Sequence, residues 1–256
     1  MTAHTELAQT WGRQARGTLV VVKKNAMLYY LKPPVLIFGV LFPVFFFLAF
    51  KMGRPIPAED VVPGMVAMAL WFTASAVGPM VTPWERARKT YERLISTPLS
   101  QSSILAGDVA GGLLFGVCLS VVPVALGLAL TDAAVSGPLQ LAGGIGLGAL
   151  AFASLGVLLA APPTSNPSSI MLLSNLVRLP LLFVSGIFLP IAQMPAWARW
   201  AAPVSPLSYA GDMIGAGFGR PTHFPLWLSP AALVVFAAIF FYGACRFHRR
   251  GRAKGL

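Results

Sequence analysis

The stretch PWERARKTYERLISTP, from Pro83 to Pro98, decides how this chain is read. Glu85, Arg86, Arg88, Lys89, Glu92 and Arg93 crowd into it, while the long runs on either side are almost free of charge. Thr82-Pro83-Trp84-Glu85 has the form of a capping box: the Thr82 hydroxyl can accept from the Glu85 amide, the Glu85 side chain can reach back, and Pro83 suits a first helical position. A short amphipathic helix is expected to follow. Trp84, Ala87, Tyr91, Leu94 and Ile95 share one face, and Glu85 with Lys89 and Arg88 with Glu92 form i,i+4 pairs on the other, each contributing about 0.2 to 0.5 kcal/mol. Pro98 disfavours helix beyond Thr97. A charged helix enclosed by apolar runs implies a docking device for a soluble partner; the alternative is a solvated loop.

The flanking runs set the class. With 56% hydrophobic and 11% charged residues, the chain lies far from the composition of a soluble globular domain and is expected to be an all-α integral membrane protein. A hydrocarbon core of roughly 30 Å takes about 20 apolar residues per helix. Six stretches reach that length, residues 31–50, 61–81, 104–130, 138–161, 169–191 and 226–245, within one domain covering 1–256. The run after residue 30 lacks a small-residue cleavage site and is expected to be a retained span, not a removed signal peptide. Cys118 and Cys245 both fall inside apolar runs, so neither a disulfide framework nor a metal site is expected. The net charge of +11 gathers at the ends of runs, where Lys and Arg anchor spans beside anionic lipid. No basic groove interleaved with exposed aromatics remains to bind nucleic acid.

The same cations orient the spans. With both termini in the cytoplasm, that side collects Arg13, Arg16, Lys23, Lys24 and Lys32, the cluster from Arg86 to Arg93, and the basic residues from Arg246 to Lys254. The outside keeps only Lys51, Arg54, Arg199 and Arg220. Leu7, Trp11, Leu19, Val22 and Met27 recur with helical spacing beside Arg13, Arg16, Lys23 and Lys24, which fits a helix lying in the inner interface within residues 1–30. A flexible basic tail is the alternative. Pro33 and Pro34 then turn the chain into the membrane.

Gly107 with Gly111, Gly112 with Gly116, and Gly144 with Gly148 are small-xxx-small patterns that let helix backbones approach closely. Pro43, Pro79, Pro123 and Pro180 are placed to kink or unwind spans. Residues 192–225 are too irregular to span, yet Trp197, Trp200 and Tyr209, with Trp227 just beyond, suit the outer interface. Arg178 lies about ten residues, or roughly 15 Å, inside its span. A charge there faces the bundle interior or a wet cavity, and Asn175 and Pro180 make that face more polar and less regular. Contact with substrate, snorkelling and a structural pair with Asp108 are all open to it. Asp108 itself suits a structural ion pair or a helix end. His4, His223 and His248 look isolated, and Glu59, Asp60, Asp132 and Asp212 are expected to be solvated outside.

The string ERARKTYERLISTPLSQSSILAGDV, starting at Glu85, resembles the cytoplasmic signature of permease subunits in the type-2 ATP-binding-cassette (ABC) exporter family. That signature is approximately E-R-x-x-G-T-x-E-x-L-x-x-T-P-L-S followed by a Gly-containing span. Glu85, Arg86, Thr90, Glu92, Leu94, Thr97, Pro98 and Leu99 fall on matching positions, and Lys89 replaces the usual glycine. A second string, VSGIFLPIAQMPAWARWAAPVSPLSYA from Val184, is similar to the family's later signature through Ser185, Gly186, Pro190, Met194, Pro195, Trp197, Pro206, Leu207 and Tyr209. The basic residue usual shortly after that tyrosine is missing.

The resemblance implies a drug-efflux-like half-transporter in a prokaryotic inner membrane, multi-pass, with both termini cytoplasmic. It implies pairing with a second permease copy, as a homodimer before a heterodimer, and with two copies of a soluble ABC ATPase. Glu85, Arg86, Arg88, Thr90, Glu92, Arg93, Leu94 and Pro98 would lie at that ATPase interface together with the N-terminal interfacial helix. Pro190, Pro195, Trp197 and Tyr209, on re-entrant outer segments, would narrow the outer end of the pathway. With the intramembrane charge noted above, Asn175, Arg178, Pro180 and Ser185 are the candidate substrate pathway. No Gly-x-x-x-x-Gly-Lys-Ser/Thr loop occurs, so this chain is expected to bind no cofactor and to be no enzyme by itself, with ATP and Mg on the partner subunit.

The expected function is export of a hydrophobic or amphipathic compound, a drug, antibiotic or lipid-like molecule, from the cytoplasm or inner leaflet. Nearly uncharged spans offer few groups to compensate a desolvated ion. Export of a lipid-linked saccharide or peptide by the same architecture is the alternative. A membrane-embedded enzyme would need converging His, Asp, Glu or Cys residues, and a passive channel or secondary carrier leaves the charged helix without a purpose.

Overall fold

The computed structural model describes residues 2–27, 58–90, 99–162, 166–189 and 191–253, with single positions at 37, 41, 44, 45, 48, 49 and 164. The expected 31–50 span therefore lies outside the described residues but for isolated positions. Among the described residues the regular structure is entirely helical. In chain order the α-helices are α1 Thr2–Asn25, α2 Ala58–Ala87, α3 Gln101–Leu130, α4 Pro138–Leu159, α5 Pro167–Phe183, α6 Ala196–Ala201, α7 Pro206–Gly217 and α8 Leu228–Ala253, and single 3-10 turns at Ile191–Gln193 and Ala202–Val204 flank α6.

Local chemistry sets several of these starts. Ser100 caps α3 by accepting from the Ser103 amide at 3.1 Å, and Asn166 caps α5 by accepting from the Ser168 amide at 3.1 Å. Pro138, Pro167 and Pro206 open α4, α5 and α7, where a missing N–H costs nothing. Among the described residues four stretches are long and apolar enough to cross a bilayer: Val61–Ala87, Gln101–Leu130, Pro138–Leu159 and Leu228–Arg250. The expected span at 169–191 is shorter in the structure. Its helix, α5, has 17 residues, about 25 Å at the helical rise, because the chain turns after Phe183 and Gly186 takes a left-handed φ of +86°.

Helix α2 is the mast of the bundle. It is buried along nearly its whole length and packs against α3, α4, α5 and α7, while α8 covers α4 and α7 and α1 lies along α3. Within the core, Trp71 of α2 meets Phe152 of α4 edge to face, with centroids 4.7 Å apart. Outward faces remain apolar: Leu114 and Val121 on α3, Leu172 and Leu176 on α5, and Ile239 and Tyr242 on α8 are exposed, as helices bordered by lipid require.

Glycines set how closely these helices approach, each against its own partner. Gly107 of α3 receives α1, with a Cβ there falling 2.8 Å from Val21 Cβ; Gly112 and Gly116 receive Ala74 of α2; Gly144 and Gly148 of α4 receive Ile214 and Ala210 of α7. The tightest crossing joins α2 and α4. A Cβ on Gly78 would run into the Gly156 carbonyl, and one on Gly156 into the Ser75 carbonyl, so the two backbones touch.

The structure corrects the reading of Thr82 and Pro83. Helix α2 runs straight through them to Ala87, so no separately capped helix starts there. Buried Thr82 Oγ1 has no hydrogen-bond partner among the described residues. The break comes later, at Lys89, whose φ of 56° is left-handed. The bend that a glycine would make there is kept, with a side chain that disfavours it.

Two outcomes are expected. Gly156→Ala forces the α2–α4 crossing apart and destabilises the bundle by about 1 to 3 kcal/mol, whereas Gly146→Ala, with nothing within 4 Å of the new Cβ, does not lower the thermal midpoint in detergent and raises it slightly through the better helix propensity of alanine. Lys89→Gly relieves the left-handed penalty and raises that midpoint, by about 1 kcal/mol of stability.

Candidate coupling site and buried charges

One end of the bundle gathers the C-terminal ends of α1, α2, α4 and α8 and the N-terminal turns of α3. Contacts between α1 and α3 fix the register. Ser100 N donates to Gln14 Oε1 at 3.0 Å, Thr18 Oγ1 donates to the Ser103 carbonyl at 3.2 Å, and Val21 seats on Gly107. One turn further on, this register delivers two adjacent residues to two buried acids. Lys24 Nζ pairs with Glu85 of α2, and Asn25 Nδ2 donates to Asp108 Oδ1 of α3 at 2.6 Å.

Glu85 and Asp108 are near enough to repel each other, and Lys24 attracts Asp108 as well. The Glu85 side chain is only 6% exposed and that of Lys24 27%, so this pair is screened far less than a surface pair. It also replaces the expected Glu85–Lys89 pair, since Lys89 lies past the end of the helix.

Arg86 makes a second tie. Its Nη1 donates to the Pro162 carbonyl at 2.6 Å and to the Ala160 carbonyl at 3.4 Å, placing a cation where the last carbonyls of α4 lack partners. Its Nη2 is 3.4 Å from His248 Nδ1 of α8. His248 is thus buried at a junction, not isolated as its position suggested. Beyond Arg86 the segment turns outward. Arg88 Cζ lies 5.6 Å over the Trp84 ring, Thr90 Oγ1 donates to the Glu85 carbonyl at 3.2 Å, and Trp84, Arg88, Lys89 and Thr90 are exposed. Glu92, Arg93, Leu94 and Pro98 lie outside the described residues.

The structure brings Asn175 and Arg178 together against α2. Buried Arg178 donates from Nε to the Ser174 carbonyl at 3.3 Å, from Nη1 to Ser75 Oγ at 3.2 Å and from Nη2 to Asn175 Oδ1 at 2.9 Å. The pair with Asp108 weighed from the sequence is not formed; Asn25 holds Asp108 instead. Arg178 therefore straps α5 to α2 beside the Gly78–Gly156 crossing. Pro180 lies within α5, and the hydroxyl of Ser185, past its end, donates to the Leu182 carbonyl at 2.6 Å.

At the opposite end of the bundle, α6 and α7 are too short to cross. Pro195 precedes α6, and its carbonyl accepts from the Ala198 amide at 3.0 Å. Trp197, Trp200 and Trp227 are 70%, 84% and 71% exposed. Tyr209 is buried, with its hydroxyl donating to the Pro203 carbonyl at 3.2 Å and its ring stacked on Phe224. Pro190 lies outside the described residues. Asp212 is not solvated as expected: its carboxylate accepts from the His223 amide at 2.6 Å and the Phe224 amide at 3.3 Å. Burial pushes its carboxyl above the ordinary range, against the opposing pull of those amides and of Arg220.

Among the described residues no group of three or more His, Cys, Asp or Glu side chains is placed to hold a metal. Sequence reasoning missed the partners Lys24, Asn25, Ser75 and His248. Lys24-Asn25 at the end of a basic amphipathic helix was the one legible signal.

Lys24→Ala is expected to destabilise the bundle by about 3 kcal/mol or more, since it strands buried Glu85 beside Asp108. Lys24→Glu combined with Glu85→Lys is expected to recover part of that loss in thermal unfolding, a rescue that no independent effect of the two sites produces.

Comparison with known proteins identifies the setting of this site. A family model described as ABC-2 type transporter matches residues 16–218. Inner membrane transport permease YadH of Escherichia coli (strain K12) is 25% identical over 194 residues, 76% of this chain and 75% of the relative. Nodulation protein J of Rhizobium leguminosarum bv. viciae is 31% identical over 169 residues, 62% of this chain and 60% of the relative. The daunorubicin resistance ABC transporter permease protein DrrB1 of Streptomyces coeruleorubidus is 28% identical over 183 residues, 68% of this chain and 62% of the relative. A helical, largely apolar chain whose match takes in α2 to α7 belongs to the ABC-2 type transporter family, as a permease.

Proposed function

We propose that this chain is the membrane subunit of an ATP-driven exporter and carries a hydrophobic or amphipathic compound out of the cytoplasm or inner leaflet. The observation that carries the reading is the pair of ties at Glu85 and Arg86. Through them the last turn of α2 is bonded to α1, to the end of α4 and to α8, so a push on the segment that follows α2 is delivered to those three helices as well as to α2 itself. Exposed Trp84, Arg88 and Thr90 offer a surface of mixed apolar and cationic character to a soluble ABC ATPase.

In this reading six spans, the first within 31–50, follow an interfacial α1, and both termini lie in the cytoplasm of a prokaryotic cell. Two permease copies and two ATPase subunits form the complex, with ATP and Mg on the ATPases. The segment carrying α6 and α7 re-enters at the outer face, where Pro190, Pro195, Trp197 and Tyr209 border the exit. Among the described residues the buried charges Glu85, Asp108 and Arg178 are already engaged, which favours an amphipathic cargo over a small ion. The relative named for daunorubicin resistance makes daunorubicin the first compound to try.

The test is transport in vesicles holding the permease with the ATPase that co-purifies with it. Arg88→Glu and Arg93→Glu are expected to leave insertion and ATP hydrolysis intact while daunorubicin uptake falls about tenfold, the equivalent of ~1.4 kcal/mol of coupling. Uptake per ATP unchanged from wild type would remove the coupling role of this segment.

A further inference from the structure

The end of the bundle away from the Lys24–Glu85 pair encloses a cavity of about 400 Å³, within the roughly 300–1,000 Å³ of small-molecule sites. Glycines open it. Gly64 of α2, Gly186 after α5, and Gly211 and Gly215 on one face of α7 all line it. A Cβ on Gly211 would meet nothing closer than Ile187 Cγ1 at 3.7 Å.

Backbone geometry then brings opposite charges to this one space. Gly219, at φ +87°, reverses the chain after α7. Arg220 N consequently donates to the Gly215 carbonyl at 3.0 Å, and the Arg220 side chain lies back over Gly215, with Cδ 3.5 Å from where a Cβ would stand. Asp212 lies three residues before Gly215, on the same helical face, and its two amide contacts hold the loop at His223 and Phe224. Each of its oxygens keeps a further lone pair. Ile187 and Ile191 supply an apolar wall, and exposed Gln193 and Thr222 form a polar mouth. Trp197 and Trp200, which follow Gln193 in the chain, and Trp227, which follows His223, are exposed, as suits aromatic side chains at the level of lipid headgroups.

We propose that this cavity binds a zwitterionic phosphate–ammonium headgroup, with phosphate toward Arg220 and ammonium toward Asp212. Guanidinium matches phosphate in a two-point geometry that an ammonium side chain does not offer. A partly buried carboxylate gains from a cation that donates hydrogen bonds, and a zwitterion, neutral overall, brings a group of the right sign to each lining charge without upsetting the balance between them. The apolar wall receives the first carbons beyond the phosphate. This site goes beyond the exporter reading and requires neither the ATPase nor a direction of transport.

The full-length chain in nanodiscs of equal phosphatidylethanolamine and phosphatidylglycerol provides the test, with retained lipid counted by native mass spectrometry. Wild-type protein retains phosphatidylethanolamine in preference. Arg220→Gln and Gly211→Leu, the second filling the space without touching a charge, each lower that retention about tenfold. Gly211→Ala, whose methyl has room, does not. Displacement of the lipid by soluble phosphoethanolamine identifies the headgroup as the recognised part in a membrane lipid; binding of phosphoethanolamine without lipid retention assigns the site to the free headgroup. Equal retention of both lipids together with no response to phosphoethanolamine overturns the proposal. So does retention that Gly211→Leu leaves unchanged, an outcome that decides the matter even if Arg220→Gln fails to fold.

Discussion

Two carboxylates buried at one end of an otherwise apolar bundle, Glu85 and Asp108, are the constraint on which the rest is built. A buried carboxylate without a partner costs several kcal/mol, and both are almost fully buried. Lys24 and Asn25 meet them one each, so α1 cannot leave its groove on α3 without stranding two buried carboxyl groups. The Val21–Gly107 contact and the Gln14 and Thr18 hydrogen bonds hold the register that makes this possible. The end of α2 is thereby locked to α1, and through Arg86 to the ends of α4 and α8.

The remainder of the bundle answers a different need. Between lipid-bordered helices there is little hydrophobic gain in meeting, so close backbone approach and buried hydrogen bonds hold them together. Gly78 and Gly156 let α2 and α4 touch, and Arg178 reaches from α5 to Ser75 beside that point. A central helix gripped along its length and anchored at one end is suited to carry displacement; the exposed faces of α3, α5 and α8 are suited to slide against lipid.

Much of this was legible in the sequence. Hydropathy placed the long helices, small-xxx-small spacing marked where α3 and α4 receive neighbours, and the charged stretch after α2 singled out the candidate site. What local pattern could not supply was the choice among partners. The capping signature at Thr82 is sound by spacing, yet the helix runs through it, since Glu85 gains more from Lys24, 61 residues away in sequence, than from its own helix start. Arg178 is long enough to reach several groups, and only the fold decides between Asp108 and Ser75. Asp212 looks solvated until the reversal at Gly219 folds His223 and Phe224 back onto it. Residue 89 shows the opposite case: the backbone bend is retained although its side chain argues against it, because the surrounding contacts outweigh a penalty of about 1 kcal/mol.

For the proposed exporter, the central claim is that α1 and the segment after α2 move as one body when an ABC ATPase bound to them closes. Spin labels on Arg16, Arg88 and Trp197, read pairwise by electron–electron distance measurement in the assembled complex with and without a non-hydrolysable ATP analogue, address it directly. The account predicts that the Arg16–Arg88 distance stays fixed while both distances to Trp197 change together. An Arg16–Arg88 distance that shifts on nucleotide binding, with α1 left behind, would contradict it.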